Sequence, residues 1–124
     1  MDKPTVDFYD QHAKTQSDLY ERADMSVMYR RLEAILPQHS RILEIGCGSG
    51  RDARALSGMG FSVVATDASN GMIQEAIKRT ECKCGDLSFT CLSFPIPEGH
   101  SMFKEQRFDL VLAVAVLMHF LPNE

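Results

Sequence analysis

The sequence predicts an α/β protein built on a doubly wound parallel sheet. Short segments rich in β-branched residues alternate with segments whose apolar residues recur at helical spacing, and a glycine loop follows the first strand-like segment. A late apolar run, residues 108–116, has the character of a strand buried on both faces, as parallel sheets require. Alternation of this kind places helices on both faces of one parallel sheet.

The N-terminal third is expected to hold a polar lead segment and one helix. Residues 2–16 are polar and predicted to be irregular. Residues 18–36 are predicted to form a helix, because their apolar positions fall on one stripe and a proline follows. The stripe consists of Met28, Leu32, Ile35 and Leu36, and the proline is Pro37.

The remaining elements are predicted in the order strand, helix, strand, helix, strand, long connection, strand. Residues 41–45 and 61–66 have strand character, and about three turns of helix are expected between them from Arg51. Ser69 can cap the next helix, whose apolar face includes Met72. A weak third strand is predicted at residues 82–84, and a fourth at 108–116.

Composition narrows the class of partner. The chain has 124 residues, enough for one domain, and a formal net charge of −4 without a dense basic cluster, which argues against nucleic-acid binding. The N-terminus has no signal-peptide pattern, and the longest apolar run is too short for a bilayer. The four cysteines lack paired zinc spacing, so we expect reduced thiols, no metal and a cytoplasmic location.

Three acidic or glycine-rich loops are predicted to meet at one edge of the sheet. Gly46 and Gly48 allow a tight turn and close approach of a ligand to the backbone. Asp67, at the end of the second strand, would arrive beside that loop with a carboxylate suited to a ribose diol. Asp86 is expected at the end of the third strand. Such an edge binds ligands in open α/β sheets.

A dinucleotide and S-adenosylmethionine are the two ligands to compare. The dinucleotide fingerprint would need a third glycine where Arg51 stands. Glu44, two residues before Gly46, would repel a pyrophosphate but suits an ammonium group. S-adenosylmethionine has no phosphate, carries two cationic groups and presents a ribose diol. The acidic edge therefore favours S-adenosylmethionine.

These segments resemble class I S-adenosylmethionine-dependent methyltransferases. Residues 44–50 resemble the E/D-x-G-x-G-x-G motif, residues 67–73 the D-x-S-x-x-M-I stretch, and residues 85–87 the G-D-hydrophobic turn. Residues 108–111 followed by 117–119 resemble the F-D-L-V and L-x-H segment. The resemblance implies a Rossmann-like sheet with strands in the order 3-2-1-4. It also implies an incomplete fold, because the family's strands five to seven would be missing. It divides the chain into a lead segment and helix, 1–36, and a cofactor-binding half, 37–124.

The resemblance also implies which residues bind the cofactor. The glycine loop would pass the methionine part, Glu44 would lie near its amino group, and Asp67 would hold the ribose. Asp86 would accept from the adenine amine, and Tyr9 resembles a lead-in tyrosine that in some members reaches the cofactor. The full predicted set is Glu44, Gly46, Cys47, Gly48, Asp67, Ala68, Met72, Asp86, Leu87 and Ala113.

The implied function is methyl transfer to a small-molecule acceptor. The alternative is a non-catalytic S-adenosylmethionine-binding fragment or interaction module without an acceptor pocket. No catalytic residue is identified; His119 at the fourth strand is a candidate base, although a lone histidine there is more often structural. Because the fourth strand would be an exposed apolar edge, it is also a candidate surface for self-association.

Overall fold

A computed structural model describes residues 2–80, 85–93 and 107–114 of the chain. Five helices and four strands lie within this part. The elements are α1 (Lys3–Gln11), α2 (Ala13–Glu21), α3 (Ser26–Ile35), β1 (Arg41–Ile45), α4 (Arg51–Gly58), β2 (Ser62–Asp67), α5 (Asn70–Arg79), β3 (Asp86–Cys91) and β4 (Leu110–Ala113).

The four strands form one parallel sheet in the order β3-β2-β1-β4. This confirms the predicted α/β fold and strand order. In β1, the adjacent residues Ile42 and Leu43 point to opposite faces and are both buried, as expected for a strand covered on both sides. The buried core packs β1 and β2 against α4 and α5. Its members include Ile42 of β1, Val63 and Ala65 of β2, Phe61 just before β2, Ala53 and Leu56 of α4, and Ile73 of α5.

The N-terminal segment is helical, so the prediction of an irregular lead at residues 2–16 is wrong. Asp2 caps α1: its Oδ2 accepts a hydrogen bond from the Thr5 N–H at 3.2 Å, and its Oδ1 accepts from the Thr5 hydroxyl at 2.6 Å. Pro4 lies in the first turn, where its missing N–H costs nothing. The capping aspartate and the proline were the local signals of a helix start.

The single helix predicted over residues 18–36 is also wrong. The chain leaves the helix after Glu21 and enters α3 at Ser26. Between them, Asp24 Oδ1 accepts from the Ser26 N–H at 3.0 Å. A short aspartate side chain that bonds the backbone two residues ahead competes with the helical hydrogen bond, which explains the break. The division of the chain at residue 36 stays a prediction.

The third strand begins later than expected. The predicted segment, residues 82–84, lies outside the described residues, and β3 runs from Asp86 to Cys91. Gly85 has φ +88°, and a Cβ there would lie 2.7 Å from the Ser57 carbonyl oxygen, so the chain turns at this glycine and extends after it. Asp86 therefore starts β3 instead of following it.

The fourth strand, Leu110–Ala113, lies within the predicted run, whose last two residues are not among those described. It pairs with β1, and Val111 is 55% exposed. Self-association through this strand stays a prediction. Among the helices described here, none has the length and apolar character needed to cross a membrane.

Candidate functional site

The carboxyl ends of the strands meet at one edge of the sheet. Ile45, the last residue of β1, is paired with Thr66 of β2 on one side and Ala113 of β4 on the other. Asp67, which ends β2, is paired with Cys91, which ends β3. This edge therefore collects the glycine loop, the end of β2 and the start of α5, which is where open α/β sheets bind ligands.

The loop after β1, residues 46–50, has one backbone hydrogen bond to β2 and one within the loop. The Cys47 N–H donates to the Thr66 carbonyl at 2.8 Å, and the Gly50 N–H donates to the Cys47 carbonyl at 3.0 Å. Gly48 has φ +55°, and a Cβ at this position would lie 3.0 Å from the Tyr20 ring and 3.8 Å from the Met72 methyl group. Gly48 is buried, and the Tyr20 ring lies against the side of its backbone where a side chain would stand, so this position requires glycine. Close approach of a ligand to this backbone stays a prediction.

Asp67 is buried at the centre of this edge, with 6% of its surface exposed. Its Oδ2 accepts from the Gly48 N–H at 3.0 Å, and its Oδ1 accepts from the Ser69 N–H at 2.9 Å. Burial raises the pKa of Asp67, the two backbone donors oppose this effect, and the nearby Asp10 carboxylate adds to it. Each carboxylate oxygen has two acceptor sites, so both oxygens retain capacity for a further donor.

Glu44 is a buried carboxyl without a full set of partners. It is 1% exposed, and its Oε1 has no hydrogen-bond partner among the described residues. Burial raises the pKa of Glu44 well above its usual range; the Asp52 and Asp67 carboxylates raise it further, and Arg51 opposes them. A carboxyl in these surroundings gains from the arrival of a cationic donor, because both its desolvation and its missing hydrogen bond would be relieved.

Replacing Glu44 with glutamine is expected to flatten the pH dependence of stability. The folded chain keeps a proton on Glu44 that the unfolded chain releases above the ordinary pKa of 4.5. The contribution of protonated Glu44 to the free energy of unfolding is therefore fully present below that value and is lost as pH rises through the raised pKa. Asp67 adds a slope of the same sign, so part of the loss remains.

Melting temperatures at about pH 4 and about pH 8 measure this slope. Glu44→Gln should lose less stability between the two than the wild type. Glu33→Gln, at an exposed glutamate of α3, is the matched control and should behave as the wild type does. An unchanged slope in Glu44→Gln would show that Glu44 is ionised in the folded chain.

The start of α5 brings the remaining predicted residues to the same edge. Ser69 caps the helix, as the sequence predicted, with its Oγ accepting from the Met72 N–H at 3.2 Å. Met72 is buried, and its methyl group lies 3.8 Å from the position that a Cβ on Gly48 would take. The Ala68 carbonyl oxygen lies 3.7 Å from the Cys91 sulfur. Burial raises the pKa of the Cys47 thiol well above its usual range, which disfavours the reactive thiolate form.

Asp86 and Leu87 are the predicted site residues that the structure places elsewhere. Asp86 is paired with Ser62 at the amino ends of β3 and β2, and it accepts a 2.7 Å hydrogen bond from the Ser62 hydroxyl. Leu87 is the next residue along and packs against the core. The expectation that these two residues follow the third strand is wrong, because the strand starts after Gly85; the residue at its carboxyl end is Cys91.

The N-terminal helices contribute contacts that the sequence did not predict. The Tyr20 ring lies over Gly48, and its hydroxyl donates to the Tyr9 hydroxyl at 3.4 Å. The Tyr20 carbonyl accepts from Arg51 Nη1 at 2.6 Å. Asp10 Oδ1 accepts from the Gly71 N–H at 2.9 Å, so α1 contacts the first turn of α5. Contact of Tyr9 with a cofactor stays a prediction.

His119, the candidate base, lies outside the described residues, as do two of the four cysteines, Cys82 and Cys84. Within residues 2–80, 85–93 and 107–114, no group of three or more histidine, cysteine, aspartate or glutamate side chains is arranged to hold a metal ion.

The sequence of this chain matches a known protein family. Residues 42–124 match the family described as "Methyltransferase domain". An uncharacterized methyltransferase of Schizosaccharomyces pombe is 34% identical over 56 residues, which cover 45% of this chain and 39% of that protein. A ubiquinone biosynthesis O-methyltransferase of Bradyrhizobium diazoefficiens is 32% identical over 79 residues, which cover 64% of this chain and 29% of the relative. The chain thus spans well under half the length of these curated relatives.

A solved structure extends the similarity to the fold of nearly the whole chain. The magnesium protoporphyrin IX methyltransferase of Synechocystis PCC 6803, with bound S-adenosylhomocysteine (SAH), superposes with a TM-score of 0.71 at 18% identity. The match covers 96% of this chain and 61% of that one. At this level of identity the likeness concerns the fold alone.

Proposed function

The chain belongs to the methyltransferase domain family of the class I S-adenosylmethionine-dependent methyltransferases, and we propose that the carboxyl edge of its sheet binds the methyl donor for transfer to a small molecule. S-adenosylmethionine is the cofactor of this family. One arrangement carries the proposal for this chain: the Gly48 N–H donates to the buried Asp67 carboxylate at the carboxyl edge of the sheet, and the buried Glu44, one residue before the end of β1, has an Oε1 without a partner among the described residues. Acidic groups at this edge fit a ligand that has an ammonium group and a ribose diol but no phosphate.

Each residue at the edge has a proposed role. Asp67 accepts from the ribose hydroxyls, and its bond to the Gly48 N–H fixes its direction. The backbone of Gly46, Cys47 and Gly48 lies along the methionine part, whose ammonium group is near Glu44. Ala68 and Met72 flank the adenine, and the Ala113 backbone lies at the methionine amino end. No cofactor contact is proposed for Asp86 and Leu87, because both lie at the amino end of β3.

Methyl transfer asks little side-chain chemistry of the protein. The cofactor supplies an activated methyl group on a sulfonium, so the residues here bind it, orient it and hold its charged groups. A small-molecule acceptor is proposed because the matched relatives include ubiquinone biosynthesis O-methyltransferases, and because the chain is acidic with a net charge of −4.

Calorimetric titration with SAH and, separately, with NAD tests the proposal. SAH is expected to bind, and NAD to bind far more weakly, because the Asp67 carboxylate disfavours a pyrophosphate and Arg51 stands where a dinucleotide site has its third glycine. Preferential binding of NAD would contradict the ligand assignment. Incubation with radiolabelled S-adenosylmethionine and a panel of small molecules then tests transfer. Cofactor binding without transfer to any of them would favour the interaction-module alternative.

A further inference from the structure

The N-terminal helical segment formed by α1 and α2, residues 3–21, meets the cofactor edge through one buried serine. The Ser69 N–H donates to Asp67 Oδ1 at 2.9 Å, and the Ser69 hydroxyl donates to Asp10 Oδ1 at 2.5 Å. Ser69 is fully buried, and its Oγ also accepts from the Met72 N–H. Ser69 therefore links a carboxylate of the N-terminal helical segment to the carboxylate at the end of β2.

Gly71 brings α1 and α5 into direct backbone contact. Its N–H donates to Asp10 Oδ1 at 2.9 Å, the same oxygen that accepts from Ser69. A Cβ on Gly71 would lie 3.0 Å from both the Cα and the carbonyl oxygen of Asp10. The two helices are in contact at this point without an intervening side chain, so a shift of α1 must move the first turn of α5 or break these bonds.

Apolar burial does little to hold the N-terminal helical segment in place. In α1 no residue is buried, and in α2 only Ala13 and Ser17 are. Ion pairs connect α2 to the rest of the chain, Asp18 with Arg79 at 2.7 Å and Glu21 with Arg54. A segment held by few apolar contacts opens at low free-energy cost, so its polar contacts decide where it lies.

We infer that Asp10 is a positioning residue for the cofactor site. Hydrogen bonds run without a break from Asp10 to Ser69, from Ser69 to Asp67, and from Asp67 to the Gly48 N–H. Asp10 thereby holds the first turn of α5 and the carboxylate proposed to accept from the ribose. The inference rests on the proposed function, since it concerns the affinity of that site.

Calorimetry with SAH on three variants tests the inference. Asp10→Ala removes both acceptor bonds and should weaken binding about tenfold, equal to about 1.4 kcal/mol. Asp10→Asn keeps an acceptor oxygen of the same reach and should stay within about threefold of the wild type. Asp7→Ala is the matched control on α1, because the Asp7 carboxylate forms an ion pair with Lys3 of the same helix, and this variant should bind SAH as the wild type does.

The outcomes separate the two hypotheses. Failure of the wild type to bind SAH would refute the proposed function, and this inference with it. Wild-type affinity in Asp10→Ala would refute the inference alone, even if that variant melts at a lower temperature. An equal loss in Asp10→Asn and Asp10→Ala would also refute it, because rescue by the asparagine oxygen distinguishes positioning from general stability. If Asp10→Ala does not fold, Asp10→Glu, which displaces the carboxylate by one methylene, should bind several-fold more weakly, and unchanged affinity there would overturn the inference.

Discussion

Replacing Asp67 with alanine is expected to weaken SAH binding by one to two orders of magnitude. The carboxylate lies at the carboxyl end of β2, held by the N–H groups of Gly48 and Ser69, and is proposed to accept from the ribose diol. Hydrogen bonds to a charged group are worth about 1.5–3 kcal/mol, and about 1.4 kcal/mol corresponds to a factor of ten in affinity. Calorimetric titration with SAH measures the change.

Asp86→Ala is the matched control for this variant. Both residues are aspartates of paired strands, but Asp86 lies at the amino end of β3, opposite Ser62, at the far edge of the sheet from Asp67. It should bind SAH as the wild type does. If Asp86→Ala lost as much affinity as Asp67→Ala, our proposal would have assigned the cofactor to the wrong edge of the sheet. Melting temperatures of both variants show whether the loss arises from unfolding.

Gly48→Ala is expected to reduce SAH binding at least tenfold and to destabilise the fold by roughly 1–2 kcal/mol, the usual cost of a left-handed backbone for a residue with a Cβ. Gly48 has φ +55°, and the added methyl would lie 3.0 Å from the Tyr20 ring. The same methyl would cover the backbone surface along which the methionine part is proposed to lie. Denaturant unfolding and calorimetry measure the two effects separately.

Gly58→Ala provides a glycine-to-alanine control at the far end of α4 from the glycine loop. Gly58 ends α4, and a Cβ there would meet no atom within 4 Å. Alanine at this position should stabilise the helix by about 0.5–1 kcal/mol and leave SAH binding unchanged. If Gly48→Ala bound SAH as well as Gly58→Ala does, the ligand would not approach the Gly48 backbone.

Several elements followed from the sequence because their causes are local. β1 has the predicted bounds, Arg41–Ile45, since a short apolar strand running directly into a glycine loop has few alternatives. Ser69 caps α5 as predicted, because the cap depends on a side chain and an N–H three residues apart. The order of the strands followed from the alternation of elements together with the family resemblance.

Other features were decided only by the tertiary structure. The start of β3 depends on Gly85, whose backbone lies against Ser57 of α4, a contact that no local pattern contains. The place of Asp86 changes with that start, because the two ends of a parallel strand lie at opposite edges of the sheet.

The carboxyl groups around the site show the same division. Glu44 could be identified from its spacing to the glycines, but its burial without a partner for Oε1 arises from the packing of β1 between β2 and β4. Asp10 was assigned to an irregular lead, and its role depends on Ser69 and Gly71, about 60 residues away in sequence. Local sequence determines which groups can cap, turn or ionise. Only the folded chain determines which of them are desolvated and which distant donor each carboxylate meets, because desolvation and hydrogen bonding act over a few ångströms of space.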